Sequence, residues 1–181
     1  GAMFAIEHSG IRPDVLVLSK AFGGGYPLSV VVYDERLDTW PAGAHAGTFR
    51  GNQIAMVAGL TTMQIVERDG LSAHAERVGK LLLAGLEALA QRFACLGQIR
   101  GRGLMIGAEV VAPGSDGRAG PADGALAKAI KQNCLRNGLV IETGGRNGAV
   151  LRFLPPLILS EPDAHEVLNR FEHAVETASR A

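Results

Sequence analysis

The chain has 181 residues, of which 47% are hydrophobic and 20% are charged, the balance of an ordinary globular protein. Its 18 basic residues and 18 acidic residues cancel, which argues against a nucleic-acid-binding face and against a polybasic membrane surface. A chain of this length can bury roughly 70% of its unfolded surface, so it needs no disulfide or metal to fold.

The cysteines and histidines predict neither a disulfide framework nor a metal site. Cys95 and Cys134 are too few for a cysteine-rich zinc site, and we interpret both as reduced structural thiols. The histidines lack metal-ligand spacing. No run reaches about 18 apolar residues, and no basic leader precedes an apolar stretch. We therefore expect a cytoplasmic protein without a membrane span.

The first third of the chain predicts two strands and a helix. The apolar run over 13–20 lacks alternation, which is typical of a strand covered on both faces. Glycines at 23–25 interrupt the pattern, and a β-branched run over 28–33 predicts a second strand. Apolar residues on a broad surface predict a buried helix over 52–68.

The middle of the chain changes in character. A second helix is predicted over 71–93, with its leucines on one face. The glycines and arginines of 98–103 predict a loop, and 104–111 predicts a strand. The stretch 112–123 contains the proline, glycine and aspartate typical of a turn-rich connection.

The last third predicts a helix, a hairpin and a final helix. A helix over 125–137 is expected to end at Gly138, and the strands 140–142 and 150–154 form a hairpin around a glycine-rich turn. The residues that follow Ser160 resemble a capping box at the start of the last helix.

These elements predict an α/β fold in parts. Residues 1–70 are expected to end a larger α/β domain, 71–97 to form a bridging helix, and 98–181 to form a small α+β domain. A parallel sheet needs more strands than the first part supplies. We therefore expect the chain to be the C-terminal portion of a larger protein.

Lys20 follows the first predicted strand and precedes the glycines. The carboxyl end of a strand is where α/β proteins bind ligands, and a desolvated lysine amine becomes a nucleophile for carbonyl groups. A solvated lysine at the end of a strand would have the same local pattern. Lys80, Lys128 and Lys131 lie in polar helical contexts and are expected on the surface.

Two further residues are candidates for binding negatively charged groups. Thr48 precedes a helix within Gly47-Thr48-Phe49-Arg50-Gly51-Asn52, where a hydroxyl and free backbone N–H groups suit a phosphate, although a simple capped turn would look alike. Arg152 lies inside an apolar strand and offers a planar fork that matches a carboxylate. An edge-strand arginine that faces water is the alternative.

Four segments in this order resemble the class III, ornithine-type, pyridoxal-phosphate-dependent aminotransferases. They are PDVLVLSKAFGGGYPL over 13–28, GTFRGN over 47–52, RGRGL over 100–104 and LRFLPPL over 151–157. Within the family, the residues 37–53 are most similar to the diaminobutyrate–2-oxoglutarate aminotransferases. The resemblance covers almost the whole chain and implies the C-terminal part of a fold-type I transferase.

The resemblance implies a role for each candidate residue. Lys20 would hold pyridoxal 5′-phosphate and act as the catalytic proton carrier, Thr48 would bind the cofactor phosphate, and Arg152 would bind the α-carboxylate of glutamate or 2-oxoglutarate. The threonine loop serves the neighbouring subunit in this family, so a homodimer is implied. The reaction would move the terminal amine of L-2,4-diaminobutyrate to 2-oxoglutarate, giving aspartate 4-semialdehyde and glutamate.

Other functions stay open at this point. Ornithine, acetylornithine or 4-aminobutyrate could replace diaminobutyrate as the donor, and an aminomutase would need no 2-oxo acid. The family's ring-binding aspartate, stacking aromatic residue and glycine-rich phosphate turn precede the lysine strand, and Asp14 and Glu7 do not match them. A truncated association domain without catalytic activity is therefore a further alternative.

Overall fold

The structure is a computed structural model that describes residues 1–112, 114 and 120–180. It divides into two compact units, one formed by Ala2–Leu71 and one formed by Ser72–Ala181 together with Gly1. Except for Leu71, the helix predicted over 71–93 and the residues up to 97 lie in the second unit, together with 98–181. Among the described residues, no helix is long and apolar enough to span a membrane.

The first unit contains a two-stranded antiparallel sheet and one long helix. Strand β1 (Val15–Leu18) pairs with β2 (Val30–Tyr33), and Val15 lies opposite Tyr33. The prediction that β1 is covered on both faces is wrong within this unit, because Val17 is 66% exposed. A ribbon of two short strands offers too little surface to bury both faces of either strand.

Helix α1 (Gln53–Arg68) begins where the sequence predicts, after Asn52, whose side-chain oxygen accepts a hydrogen bond from the backbone N–H of Ala55 at 3.1 Å. The prediction of a buried helix is wrong within this unit. Only Ala55 and Gly59 are buried. Most of the larger apolar residues of α1 are exposed, because the face that packs most closely against the unit is the narrow one with Ala55 and Gly59.

The second unit is a four-stranded antiparallel sheet in the order β3-β4-β6-β5. Its strands are β3 (Leu96–Arg102), β4 (Met105–Val110), β5 (Glu142–Gly144) and β6 (Val150–Phe153). The prediction of a loop over 98–103 is wrong, because most of it forms the edge strand β3. Glycine there permits close approach: a side chain at Gly101 would meet the backbone of Met105 and Ile106.

Three helices provide the core of the second unit: α2 (Leu71–Arg92), α3 (Gly124–Arg136) and α4 (Glu161–Ser179). Their apolar residues form one cluster with inward-facing residues of the sheet. Phe153 of β6 and Phe171 of α4 meet edge to face, with ring centroids 5.1 Å apart. The core therefore occupies one face of the sheet, and alternation along β6 leaves Arg152 exposed on the other.

Several predicted ends of elements are confirmed. Helix α3 stops before Gly138, which has a positive φ of 73°. The hairpin is confirmed as the pair β5–β6, but its first strand is Glu142–Gly144 rather than the predicted 140–142, because the turn lies at 145–149. The Ser160 side chain caps α4 by accepting from the N–H of Asp163 at 3.2 Å. Within the predicted connection over 112–123, residues 113 and 115–119 lie outside the described residues.

Candidate active site

Lys20 has a backbone conformation that lysine rarely adopts. It follows β1 directly and begins a 3₁₀ turn, Lys20–Gly23, with φ at 58°. Among the described residues, only Asn147 shares a positive φ without being a glycine. The left-handed region costs a residue with a Cβ roughly 1–2 kcal/mol. Such a conformation persists only where the surroundings impose it, and functional sites are where it concentrates.

Helix α1 holds the lysine turn in place through glycines. A side chain on Gly59 of α1 would lie 2.7 Å from Leu28 Cδ2 and 3.0 Å from the carbonyl oxygen of Phe22. A side chain on Gly24 would lie 3.1 Å from the carbonyl oxygen of Ala58. These glycines therefore let the turn after Lys20 pack directly on the helix backbone.

The Lys20 side chain is exposed within this chain. The desolvated setting that makes a lysine amine nucleophilic is therefore not provided by the described residues of the first unit. Directly before it, the Ser19 and Ser29 hydroxyls lie 2.9 Å apart and connect the ends of β1 and β2. The chain thus constrains the backbone of Lys20 but does not enclose its side chain.

Thr48 lies in a cleft of about 860 Å³ in the first unit, which we call the Thr48 cleft. It is lined by Pro27, Leu28, Ser29, Val31, Tyr33, Trp40, His45, Gly47, Thr48, Phe49, Arg50, Gly51, Asn52 and Ala55. The N–H of Arg50 donates to the Gly47 carbonyl at 3.1 Å and closes a turn around Thr48. This turn leads into Asn52 and the amino end of α1.

Aromatic rings form another wall of the Thr48 cleft. Trp40 meets His45 edge to face with ring centroids 4.7 Å apart, and it meets Tyr33 in the same manner at 5.7 Å. With the Thr48 hydroxyl, the Arg50 cation and the amino end of α1, the cleft offers donors to an anion beside flat apolar surfaces. Lys20 is not among the described residues that line the Thr48 cleft, so Lys20 and Thr48 do not share this cleft within the first unit.

Arg152 lies on an inner strand of the second unit, which differs from the edge strand of the alternative interpretation. Strand β6 runs between β4 and β5, and Arg152 is opposite Gly107 on one side and Glu142 on the other. Its side chain is on the exposed face of the sheet. Among the described residues it makes no ion pair.

Glu142 is held from another direction. Its carboxylate accepts from the Lys131 ammonium of α3 at 2.8 Å. The hydrogen bond and charge of Lys131 lower the pKa of Glu142, and the positive charge of Arg152 adds to this effect. Arg152 therefore faces a carboxylate that already has a partner.

Comparison with known proteins gives the family. The sequence model of the aminotransferase class-III family matches residues 1–175. The chain belongs to the class-III aminotransferases. It is 48% identical to a diaminobutyrate–2-oxoglutarate aminotransferase of Rhizobium meliloti (strain 1021), over 99% of this chain and 39% of that protein. With the corresponding protein of Haemophilus influenzae it shares 40% identity, over 98% of this chain and 40% of the relative.

Solved structures of other proteins show the same fold. An acetylornithine aminotransferase from Elizabethkingia anophelis superposes with a TM-score of 0.81 at 27% identity, over 96% of this chain and 41% of that one. A phospholyase from Arthrobacter gives 0.81 at 32% identity, over 92% and 39%. The chain therefore has the fold of a C-terminal portion of a fold-type I enzyme, and spans about 40% of the length of these relatives.

Class-III aminotransferases depend on pyridoxal 5′-phosphate, and the donor groups of this chain fit part of that cofactor. Lys20 offers a primary amine for an aldehyde, and the Thr48 cleft offers a hydroxyl and backbone N–H groups for a phosphate. Asp14 and Glu7 have other partners: Asp14 pairs with Arg36, and Glu7 accepts from the N–H of Phe4 at 2.7 Å. These contacts agree with the interpretation that neither is the family's ring-binding aspartate.

Sequence reasoning missed three residues around Arg152. The sequence indicates only hairpin residues for Glu142 and Gly144 and a surface residue for Lys131. In the structure Glu142 and Gly144 lie beside Arg152, and Lys131 pairs with Glu142. The predicted hairpin brings 140–142 beside 150–154, but only the structure fixes its register: the turn lies at 145–149, which places Glu142 opposite Arg152. The Lys131 contact has no local sequence signal, since it depends on how α3 packs on the sheet.

Proposed function

We propose that this chain supplies the lysine, the phosphate-binding threonine and the carboxylate-binding arginine of a pyridoxal-phosphate-dependent transaminase. The left-handed backbone of Lys20 at the carboxyl end of β1 supports this most strongly. An exposed, unspecialised lysine at a strand end would relax to an ordinary conformation, whereas a lysine that carries a reacting group needs a fixed direction.

The bound cofactor would supply the electron sink for removing a proton from the carbon that bears the amine. Lys20 would hold the cofactor's aldehyde carbon through Nζ. After the donor's amine displaces it, the freed Nζ would carry the proton to and from the donor carbon that bears the amine. Thr48 would donate its hydroxyl to the phosphate, and Arg152 would hold the α-carboxylate of glutamate or 2-oxoglutarate.

The proposed substrates are L-2,4-diaminobutyrate and 2-oxoglutarate, converted to aspartate 4-semialdehyde and glutamate. Relatives named for this reaction at 48%, 40% and 42% identity support the choice. Relatives named acetylornithine aminotransferase and probable 4-aminobutyrate aminotransferase, at 37% and 35% identity, make other terminal-amine donors the second candidate. A donor panel with 2-oxoglutarate as the acceptor distinguishes these substrates.

We further propose the organisation of the complete enzyme. The first unit would end its cofactor-binding domain, the helix region over 71–97 would join the domains, and 98–181 would form the small domain. Lys20 is not among the described residues that line the Thr48 cleft, which supports a homodimer in which the threonine of one subunit binds the cofactor held by the lysine of the other. Unpaired Cys95 and Cys134 support the cytoplasm as the location.

Reductive trapping of the cofactor tests the proposal. The complete polypeptide that carries this chain would be incubated with pyridoxal phosphate and reduced with borohydride, and the modified peptide would be mapped by mass spectrometry. We expect modification at Lys20, with Lys80, Lys128 and Lys131 as internal controls. Modification scattered over the control lysines, or none at all, would contradict the transaminase proposal and favour an association domain.

A further inference from the structure

Gly144 is a glycine that its own backbone does not require. It ends β5, and its φ is not among the positive values of the chain. Glycine within a strand weakens that strand and often marks a place where another group approaches closely. The reason for glycine at 144 must therefore lie in what occupies the space above its Cα.

The Arg152 side chain occupies that space. A Cβ built on Gly144 would lie 3.1 Å from Arg152 Nε and 3.4 Å from both Cδ and Cζ. The first of these distances is shorter than normal van der Waals contact. Arg152 therefore crosses from β6 over β5, and its guanidinium rests on the bare backbone of Gly144.

The other strand beside Arg152 shows that the direction is specific. Gly107 of β4 lies directly opposite Arg152 and has no positive φ either. A Cβ on Gly107 would meet Val150 Cγ1 at 3.1 Å and the Arg100 carbonyl at 3.9 Å, and no atom of Arg152 within 4 Å. The arginine thus leans toward Gly144, although glycine leaves room on both sides.

We infer that Gly144 is a positioning residue that sets the direction of the Arg152 guanidinium toward a substrate carboxylate. The inference rests on the proposed function, in which Arg152 binds the α-carboxylate of the oxo acid. A carboxylate in a two-pronged arginine pair requires both N–H directions to be correct, so a displaced fork loses affinity even when its charge remains. A side chain at 144 would lift the fork from its support.

The test measures carboxylate binding by the complete polypeptide without requiring turnover. Glutarate, a dicarboxylate that cannot be transaminated, would be titrated by calorimetry into the unaltered protein and into Gly144→Ala, Gly144→Val and Gly107→Ala. We expect about twofold weaker binding for Gly144→Ala and about tenfold for Gly144→Val, roughly the loss of one charge-assisted hydrogen bond. Gly107→Ala is the matched control and should bind as the unaltered protein does.

A double variant separates positioning from general damage to the sheet. If Gly144 acts through Arg152, Gly144→Val adds no further loss of glutarate affinity once Arg152→Ala is present. In steady-state assays Gly144→Val should raise the KM for 2-oxoglutarate and leave the half-reaction with the amine donor within about twofold, since that half-reaction does not use the fork.

The outcomes that overturn the inference differ from those that overturn the proposed function. Three outcomes would overturn the role of Gly144. They are an unchanged glutarate affinity in Gly144→Val, a loss of affinity in Gly144→Val that adds in full to the loss in Arg152→Ala, and no glutarate binding by the unaltered protein. Glutarate binding that depends on Gly144 in a protein that transaminates no donor would support the fork and overturn the proposed reaction.

Discussion

Glu142 and Arg152 lie directly opposite each other on neighbouring strands, yet Glu142 pairs with Lys131 of a helix instead. Opposite charges at directly facing strand positions normally attract each other. The ammonium of Lys131 therefore competes with Arg152 for the carboxylate. This arrangement leaves the guanidinium without an ion pair among the described residues, on the exposed face where a substrate carboxylate can reach it.

Replacing Lys131 should convert Glu142 into a competitor of the substrate. In Lys131→Met the Glu142 carboxylate is free to turn to Arg152, and we expect the KM for 2-oxoglutarate to rise about two- to fivefold, the range of an exposed ion pair. Adding Glu142→Gln should restore the original value. Lys128→Met, an exposed lysine on the same helix, is the control. An unchanged KM in Lys131→Met, or a raised KM that persists when Glu142→Gln is added, would contradict the prediction.

The Glu142 carboxyl should also report the ion pair through its titration. Lys131 lowers its folded-state pKa below the ordinary 4.5, so the pair's contribution to stability is present in full above pH 4.5. That contribution is lost as the pH falls through the lower, folded-state value. In a side-chain carboxyl NMR titration the midpoint of Glu142 should lie closer to 4.5 in Lys131→Met/Arg152→Ala than in Arg152→Ala, a background in which Arg152 cannot replace the lost partner. An unchanged midpoint would show that Lys131 does not hold this carboxylate in solution.

The left-handed backbone of Lys20 predicts an unusual order of stabilities. Lys20→Gly should resist denaturant better than Lys20→Ala by about 1 kcal/mol, because glycine adopts a positive φ without steric cost. Both variants should lose cofactor trapping. At Lys80, inside α2, the order should reverse by a similar amount, because glycine destabilises a helix interior. A Lys20→Ala protein that is as stable as Lys20→Gly, or more stable, would refute the strain at Lys20.

Mixing subunits tests whether the Thr48 cleft serves a neighbouring chain. Lys20→Ala and Thr48→Glu should each inactivate the complete enzyme, the second because a carboxylate repels the cofactor phosphate. In a mixed dimer with sites shared across subunits, one site contains both changes and the other contains neither. Co-refolded variants should then regain up to about half of the activity per mixed dimer. No recovery in isolated mixed dimers would place both residues in one subunit's site.

The cysteines should differ in reactivity. Burial raises the pKa of the Cys134 thiol to about 12, whereas Cys95 is only half-buried. Iodoacetamide at pH 8 should therefore label Cys95 in the folded protein and Cys134 only after unfolding, as mapped by mass spectrometry. The raised pKa stabilises the fold below pH 9, and its contribution is lost as the pH rises from 9 toward 12. Equal labelling rates would contradict the burial.

Local sequence determined the elements whose signals lie within a few residues. Asn52 and Ser160 begin helices by offering a side-chain acceptor to free N–H groups, and Gly138 ends one by adopting a positive φ. The order of the four motifs identified the family, and with it the roles proposed for Lys20, Thr48 and Arg152. These features need only the chemistry and spacing of neighbouring residues.

Only the tertiary structure decided features that depend on packing between distant segments. An apolar composition did not reveal that α1 exposes most of its large residues in this unit, and glycines after Gln98 indicated a loop where an edge strand forms. The paths of separate elements decide which residues approach each other. They bring Lys131 to Glu142 and Arg152 to Gly144, and the packing of α1 on the turn after Lys20 accompanies its left-handed backbone. The residue type determines which interactions a side chain can make, whereas the surrounding backbone determines which group it contacts.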